Sequence, residues 1–148
     1  MTAREIVVKF FDKEYEKVSL EELCRAPLSA VSGISESDAA DLKKAFGIDT
    51  VEELATNNYV LLAQGIKALS KHSAKILDKE FESTEFGELR EKPVSALSGI
   101  SEADATLLKK AFGVDTVREL AENKYVKIAQ LLTAIVRLES LSARSTIG

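Results

Sequence analysis

An all-α fold is predicted by three features of the 148-residue sequence: few helix breakers, a duplicated block, and helix-capping signals that recur inside that block. Two prolines, seven glycines and no tryptophan stand among many Ala, Leu, Glu and Lys residues, which favours helix over strand by intrinsic preference. Hydrophobic residues make up 45% of the chain, normal for a protein that folds around its own core. The expected architecture is two tandem helical units of about five short helices each, 1–70 and 71–148, joined by a long helix.

The duplication is found by sliding the sequence against itself. At an offset of 66 residues Phe11–Ser70 pairs with Leu77–Val136, and 34 of the 60 pairs are identical. The densest match sets Ser32–Ala55 against Ser98–Ala121. Agreement on that scale excludes chance.

Taken in order, the first segment is Glu5 to Phe11, a run that suits a helix or a short strand. The pairing of Phe11–Tyr15 with Leu77–Phe81 favours helix. Ser19 with Glu22 fits a capping box ahead of a helix to about Arg25, and Pro27 suits the first turn of another that ends before Gly33. Ser35 is placed to cap Glu36–Phe46 with Asp38 three residues on, and Gly47 follows where a left-handed residue closes a helix. Thr50 with Glu53 opens Val51 to about Thr56. Copy two keeps Pro93, Gly99, Ser101, Asp104, Gly113, Thr116 and Glu119 in register.

Apolar residues recur at three and four, as in Ala39, Leu42 and Phe46 or Leu108, Ala111 and Phe112, which marks core-facing stripes. From Tyr59 to about Phe81 no strong stop intervenes, and Leu62, Ile66, Leu69, Ile76 and Leu77 can line one side. A long helix broken or bent near Ser70 to Ser73 is expected there to join the repeats, its rigidity setting their orientation. Ser142 to Gly148 should fray.

Around Leu97–Ala121, and in its first-copy counterpart, the pattern apolar-x-Gly-apolar between short helices followed by Gly-apolar-Asp-Thr resembles the helix-hairpin-helix family, most closely the N-terminal domains of archaeal and eukaryotic recombinases. The resemblance covers about 40 residues of each repeat. It implies two tandem helix-hairpin-helix units and, in that family, sequence-independent binding of a DNA phosphate by backbone N–H groups at a helix N-terminus. Carried across by position, the DNA contacts are the hairpins Gly33-Ile34-Ser35 and Gly99-Ile100-Ser101 with Lys43, Lys44, Lys109 and Lys110. Copy two is the better DNA candidate, because Asp41, Glu52, Asn58 and Leu61 become Leu107, Arg118, Lys124 and Lys127.

Both copies depart from the family pattern where an anion would sit. Serine replaces the second hairpin glycine, and the first helical turn carries Glu36 and Asp38 or Glu102 and Asp104. Carboxylates there already satisfy the helix dipole. A like-charge pair several ångströms apart also costs on the order of 1 kcal/mol at a water-like dielectric.

Charge points the same way. The net charge of −4 is confined to residues 1–70, with 8 Lys/Arg against 12 Asp/Glu, while 71–148 holds 12 of each; a dedicated nucleic-acid binder usually carries a basic excess. Lone Cys24 and His72 exclude an internal disulfide and a zinc site of the usual kind, so no metal and no cofactor is expected. Apolar runs such as Tyr59 to Ala63 are far short of the roughly 20 residues that span a bilayer, and no signal core follows Met1, so the chain is expected to be cytoplasmic without membrane association.

Enzymatic signatures are absent: there is no Gly-x-Gly-x-x-Gly, no Gly-x-Ser-x-Gly and no Gly-x-x-x-x-Gly-Lys-Ser/Thr. Glu21-Glu22 and Glu52-Glu53 fit solvating charges, Tyr59 and Tyr125 fit core anchors, Cys24 an inert thiol and His72 a surface residue. The expectation is therefore a non-enzymatic binding module with no catalytic residue and no small-molecule substrate. Its expected partner is a protein or a second copy, and DNA backbone is the alternative.

Overall fold

A computed structural model describes residues 2–76 and 84–147, with side chains over 2–69 and 87–142. Among the described residues the chain is helical: α1 Ala3–Val8, α2 Leu20–Cys24, α3 Glu36–Phe46, α4 Val51–Ala55, α5 Asn58–Ile76, α6 Thr84–Arg90, α7 Glu102–Phe112, α8 Val117–Glu122 and α9 Lys124–Ile147. Isolated bridges pair Phe11 with Val31, Pro27 with Thr50 and Pro93 with Thr116.

Most boundaries follow from the capping chemistry. Ser35 and Ser101 accept from Asp38 N and Asp104 N while the aspartates accept from the serine N–H groups, and Thr50/Glu53 and Thr116/Glu119 form the same reciprocal pairs. Gly47 and Gly113 close α3 and α7 in the left-handed region at φ 69° and 68°, where a side chain would be strained.

Five expectations need correction. Ser19 accepts from Glu22 N, but no return bond from the Glu22 side chain completes a box. Pro27 opens a 3-10 turn, Leu28–Ala30, because Leu28 N donates to Asp49 O at 3.0 Å and Val51 N to Ala26 O at 3.1 Å, tying this segment to the next loop. Helix α1 stops at Val8, so Phe11 is extended beside Val31. Helix α5 has no break across 70–73, one of the two forms expected there, and the Leu77–Phe81 part of the expected long helix and the His72 side chain lie outside the described residues. Helix α9 continues through 142–147 where fraying was expected, since neither proline nor glycine stands within Lys124–Ile147.

Packing crosses between the copies. The most extensive helix pair is α3 with α7; α5 packs on α8 and α6, and α9 packs on α4, α2 and α1. The last helix of each copy thus covers the short helices of the other. One apolar cluster includes buried Leu23, Leu42 and Leu54 together with Leu108, Leu120 and Leu132, and this shared burial sets the relative orientation of the copies. At the centre Gln64 Nε2 donates to Gln130 Oε1 at 2.8 Å and Gln130 Nε2 to Gln64 Oε1 at 2.9 Å. These residues are 66 apart, the repeat offset, so equivalent side chains pair with each other across a pseudo-two-fold relation.

Candidate functional site at the hairpins

Each hairpin is a tight bend in which a glycine with positive φ, Gly33 at 100° or Gly99 at 102°, precedes a buried isoleucine and a capping serine. Ile34 N and Ile100 N both donate to residues of the preceding turn, Val31 O and Leu97 O, at 3.1 Å. Ser35 N donates to Asp38 Oδ2 and Ser101 N to Asp104 Oδ2, both at 3.2 Å, while Asp38 N and Asp104 N donate to the serine Oγ atoms at 3.0 Å. Two amides at each helix entrance that could have faced an anion are thereby taken by the chain itself, and exposed Glu36 or Glu102 stands beside them.

The inter-copy exchange brings a tyrosine from the opposite repeat onto each hairpin glycine. Tyr125 donates from its hydroxyl to Gly33 O at 3.4 Å, and a Cβ built on Gly33 would lie 2.5 Å from that hydroxyl. A Cβ on Gly99 would collide with the hydroxyl of Tyr59. Each ring is held on the aromatic residue of its own repeat, Phe46 with Tyr59 and Phe112 with Tyr125, both at 5.3 Å between centroids. Glycine thus serves here for close approach of a side chain as well as for the turn.

Of the lysines expected to hold phosphate, Lys43 pairs with Asp49 at 2.9 Å and Lys109 with Asp115 at 2.5 Å, and these carboxylates hold both ammonium groups above the usual lysine range. Lys110 lies 3.8 Å from buried Asp41 across the α3 and α7 contact. Lys44 is exposed near the end of α3. Lys124 sits over the Tyr125 ring at 5.0 Å and, with Lys127, lines a groove beside Ser32 of the first hairpin. Sequence position grouped Lys124 and Lys127 with Gly99-Ile100-Ser101; the fold sets them beside the first copy's hairpin, because α9 crosses over to cover α2 and α4.

Residues without a functional expectation also take part. Gln64 and Gln130 join the copies, and Lys9 and Phe10 reach the first hairpin because Ser32 N donates to Phe10 O at 2.8 Å. One signal was available: Tyr59, Gln64 and their counterparts are identical in both copies while Asn58, Leu61 and Gly65 changed to Lys124, Lys127 and Leu131. Cys24 is buried; desolvation, then nearby Glu52, pushes its thiol up, away from the nucleophilic thiolate. Among the described residues no cluster of His, Cys, Asp and Glu could hold a metal, and no helix is long and apolar enough to cross a membrane. Comparison with family models, curated proteins and solved structures returned no match.

Proposed function

We propose that the chain is a non-enzymatic adaptor or assembly module that presents two related but chemically different surfaces to protein partners or to further copies of itself. The observation that carries this reading is the internal use of both hairpins: their capping amides bond to Asp38 and Asp104, and their glycines lie under Tyr125 and Tyr59. Substitution between otherwise matching positions, Lys124 for Asn58 and Lys127 for Leu61, gives the two surfaces different partners to recognise. Two weak contacts on one chain also gain from effective concentration. Light scattering and crosslinking over a wide concentration range, with pull-down by the intact chain, test it. Concentration-dependent assembly or a partner lost on substitution of surface residues is expected; an inert monomer that recovers no protein overturns it.

A second reading, sequence-independent binding to DNA backbone as an accessory to repair or recombination, draws on exposed Lys44, Lys124 and Lys127. It requires weak affinity that falls steeply with salt, and it requires the Lys124→Glu/Lys127→Glu variant to lose that affinity.

A further inference from the structure

We propose that the groove over the first hairpin is a docking site for an acidic peptide segment that inserts one apolar side chain between three lysines, an inference that rests on the adaptor reading above. The groove measures about 360 Å³ and is lined by Phe10, Tyr125 and Ile128 with Lys9, Lys124 and Lys127 around them. That volume lies near the lower end for ligand pockets, suited to one large side chain rather than a cofactor.

Its parts come from three places in the chain. The segment after α1 is laid along the hairpin by Ser32 N to Phe10 O at 2.8 Å and Asp12 N to Ala30 O at 2.9 Å. The first turn of α9 arrives from the other repeat, with the Tyr125 hydroxyl on Gly33. Phe10 remains 40% exposed, an aromatic left partly open to water, and an apolar anchor would cover it.

Charge selects the partner. Lys9, Lys124 and Lys127 are exposed and make no ion pair among the described residues, in a chain whose net charge is −4. Three ammonium groups outside any close salt bridge, Lys127 acting at longer range on Glu122, stand around an apolar floor and complement carboxylates flanking an apolar residue. A nucleic-acid strand fits less well, because it needs a continuous basic track. Here the groove residue Ser32 donates from Oγ to Asp12 at 3.0 Å and is followed along the chain by Glu36 and Asp38, so acidic groups interrupt such a track. A short peptide can seat its carboxylates on the lysines and stop before those groups. The second hairpin provides an internal contrast, since Asn58 and Leu61 occupy the positions equivalent to Lys124 and Lys127.

The test is a titration of the ¹⁵N-labelled full chain at about 50 mM salt with three probes: the peptide acetyl-Asp-Glu-Glu-Phe-Glu-Asp-amide, the same peptide with Ser for Phe, and a thymidine oligonucleotide of equal charge. The expected result is amide shifts at Lys9, Phe10, Ser32, Lys124 and Lys127 with the Phe peptide. The Ser peptide and the Lys124→Glu/Lys127→Glu variant should each weaken binding at least about tenfold, the variant keeping its remaining amide positions. Equal binding of the two peptides, or full affinity in the variant, overturns the proposal. A stronger response to the oligonucleotide at these residues overturns it and the adaptor reading together. Silence toward all three probes while light scattering shows self-association overturns the groove alone.

Discussion

Gly33, Gly47, Gly99 and Gly113 all have positive φ, yet they divide into two pairs with different neighbours. Nothing lies within 4 Å of a Cβ placed on Gly47 or Gly113, whereas Gly33 and Gly99 would meet a tyrosine hydroxyl. Gly47→Ala and Gly113→Ala should therefore cost about 1 kcal/mol from backbone strain alone. Gly33→Ala and Gly99→Ala should cost more, on the order of 2–4 kcal/mol, because strain adds to displacement of a packed ring; urea denaturation of the four variants ranks them. The central glutamines give a second residue-scale outcome. Gln64→Leu or Gln130→Leu alone removes the amide–amide bonds and leaves the surviving amide only its backbone acceptor, Ala55 O for Gln130 or Ala121 O for Gln64, a loss of about 1–3 kcal/mol, and the double variant should recover part of it in a double-mutant cycle. Sequence identity between copies marked Tyr59, Tyr125, Gln64 and Gln130 as retained, but not what they touch: the Tyr125 contact spans 92 positions and the glutamine pair 66, beyond any local pattern.

At the scale of the helix, legibility was high where the bonding partners lie within a few residues of each other. The Ser35, Thr50, Ser101 and Thr116 boxes each close over three positions, so the hairpin helices and α4 and α8 could be placed from residue types alone. The 3-10 turn after Pro27 could not, because the bonds that tie this segment down reach to Asp49 O and from Val51 N, more than twenty positions away. The boxes also carry a pH dependence. Backbone N–H groups of Asp49 and Thr50 hold the Glu53 carboxyl below the usual range, as those of Asp115 and Thr116 do for Glu119. Lys67 at 3.2 Å, bridging α5 and α8, likewise lowers Glu122. A lowered folded-state pKa contributes stability that is fully present above the unfolded carboxylate value and is lost as pH falls through the folded one. Thermal melts should accordingly fall as pH drops below about 4.5, and Glu53→Gln/Glu119→Gln should melt lower at neutral pH with a shallower acid limb.

For the whole molecule, duplication was plain in the sequence, but the direction of packing was not. A repeat shows that two units share a shape; it does not say whether each closes on itself. Here α9 covers α2 and α4 while α5 covers α6 and α8, so neither half encloses its own apolar surface. Produced separately, fragments 1–76 and 84–148 should each melt without a sharp transition or self-associate, and their mixture should regain cooperative melting by circular dichroism. Two independently cooperative fragments that ignore each other would contradict the exchange. The same crossing explains why the candidate site was only partly legible: the hairpin residues were identified by position, while the lysines beside the first hairpin belong to the second copy.

The claim on which the functional account turns is that both hairpins are closed to phosphate by the chain's own caps and tyrosines. Titration of the labelled chain with duplex and branched DNA at about 50 mM salt addresses it most directly. The account predicts no mobility shift and unmoved amides at Gly33, Ser35, Gly99 and Ser101. Saturable binding that perturbs those four amides and weakens steeply as salt rises would contradict it.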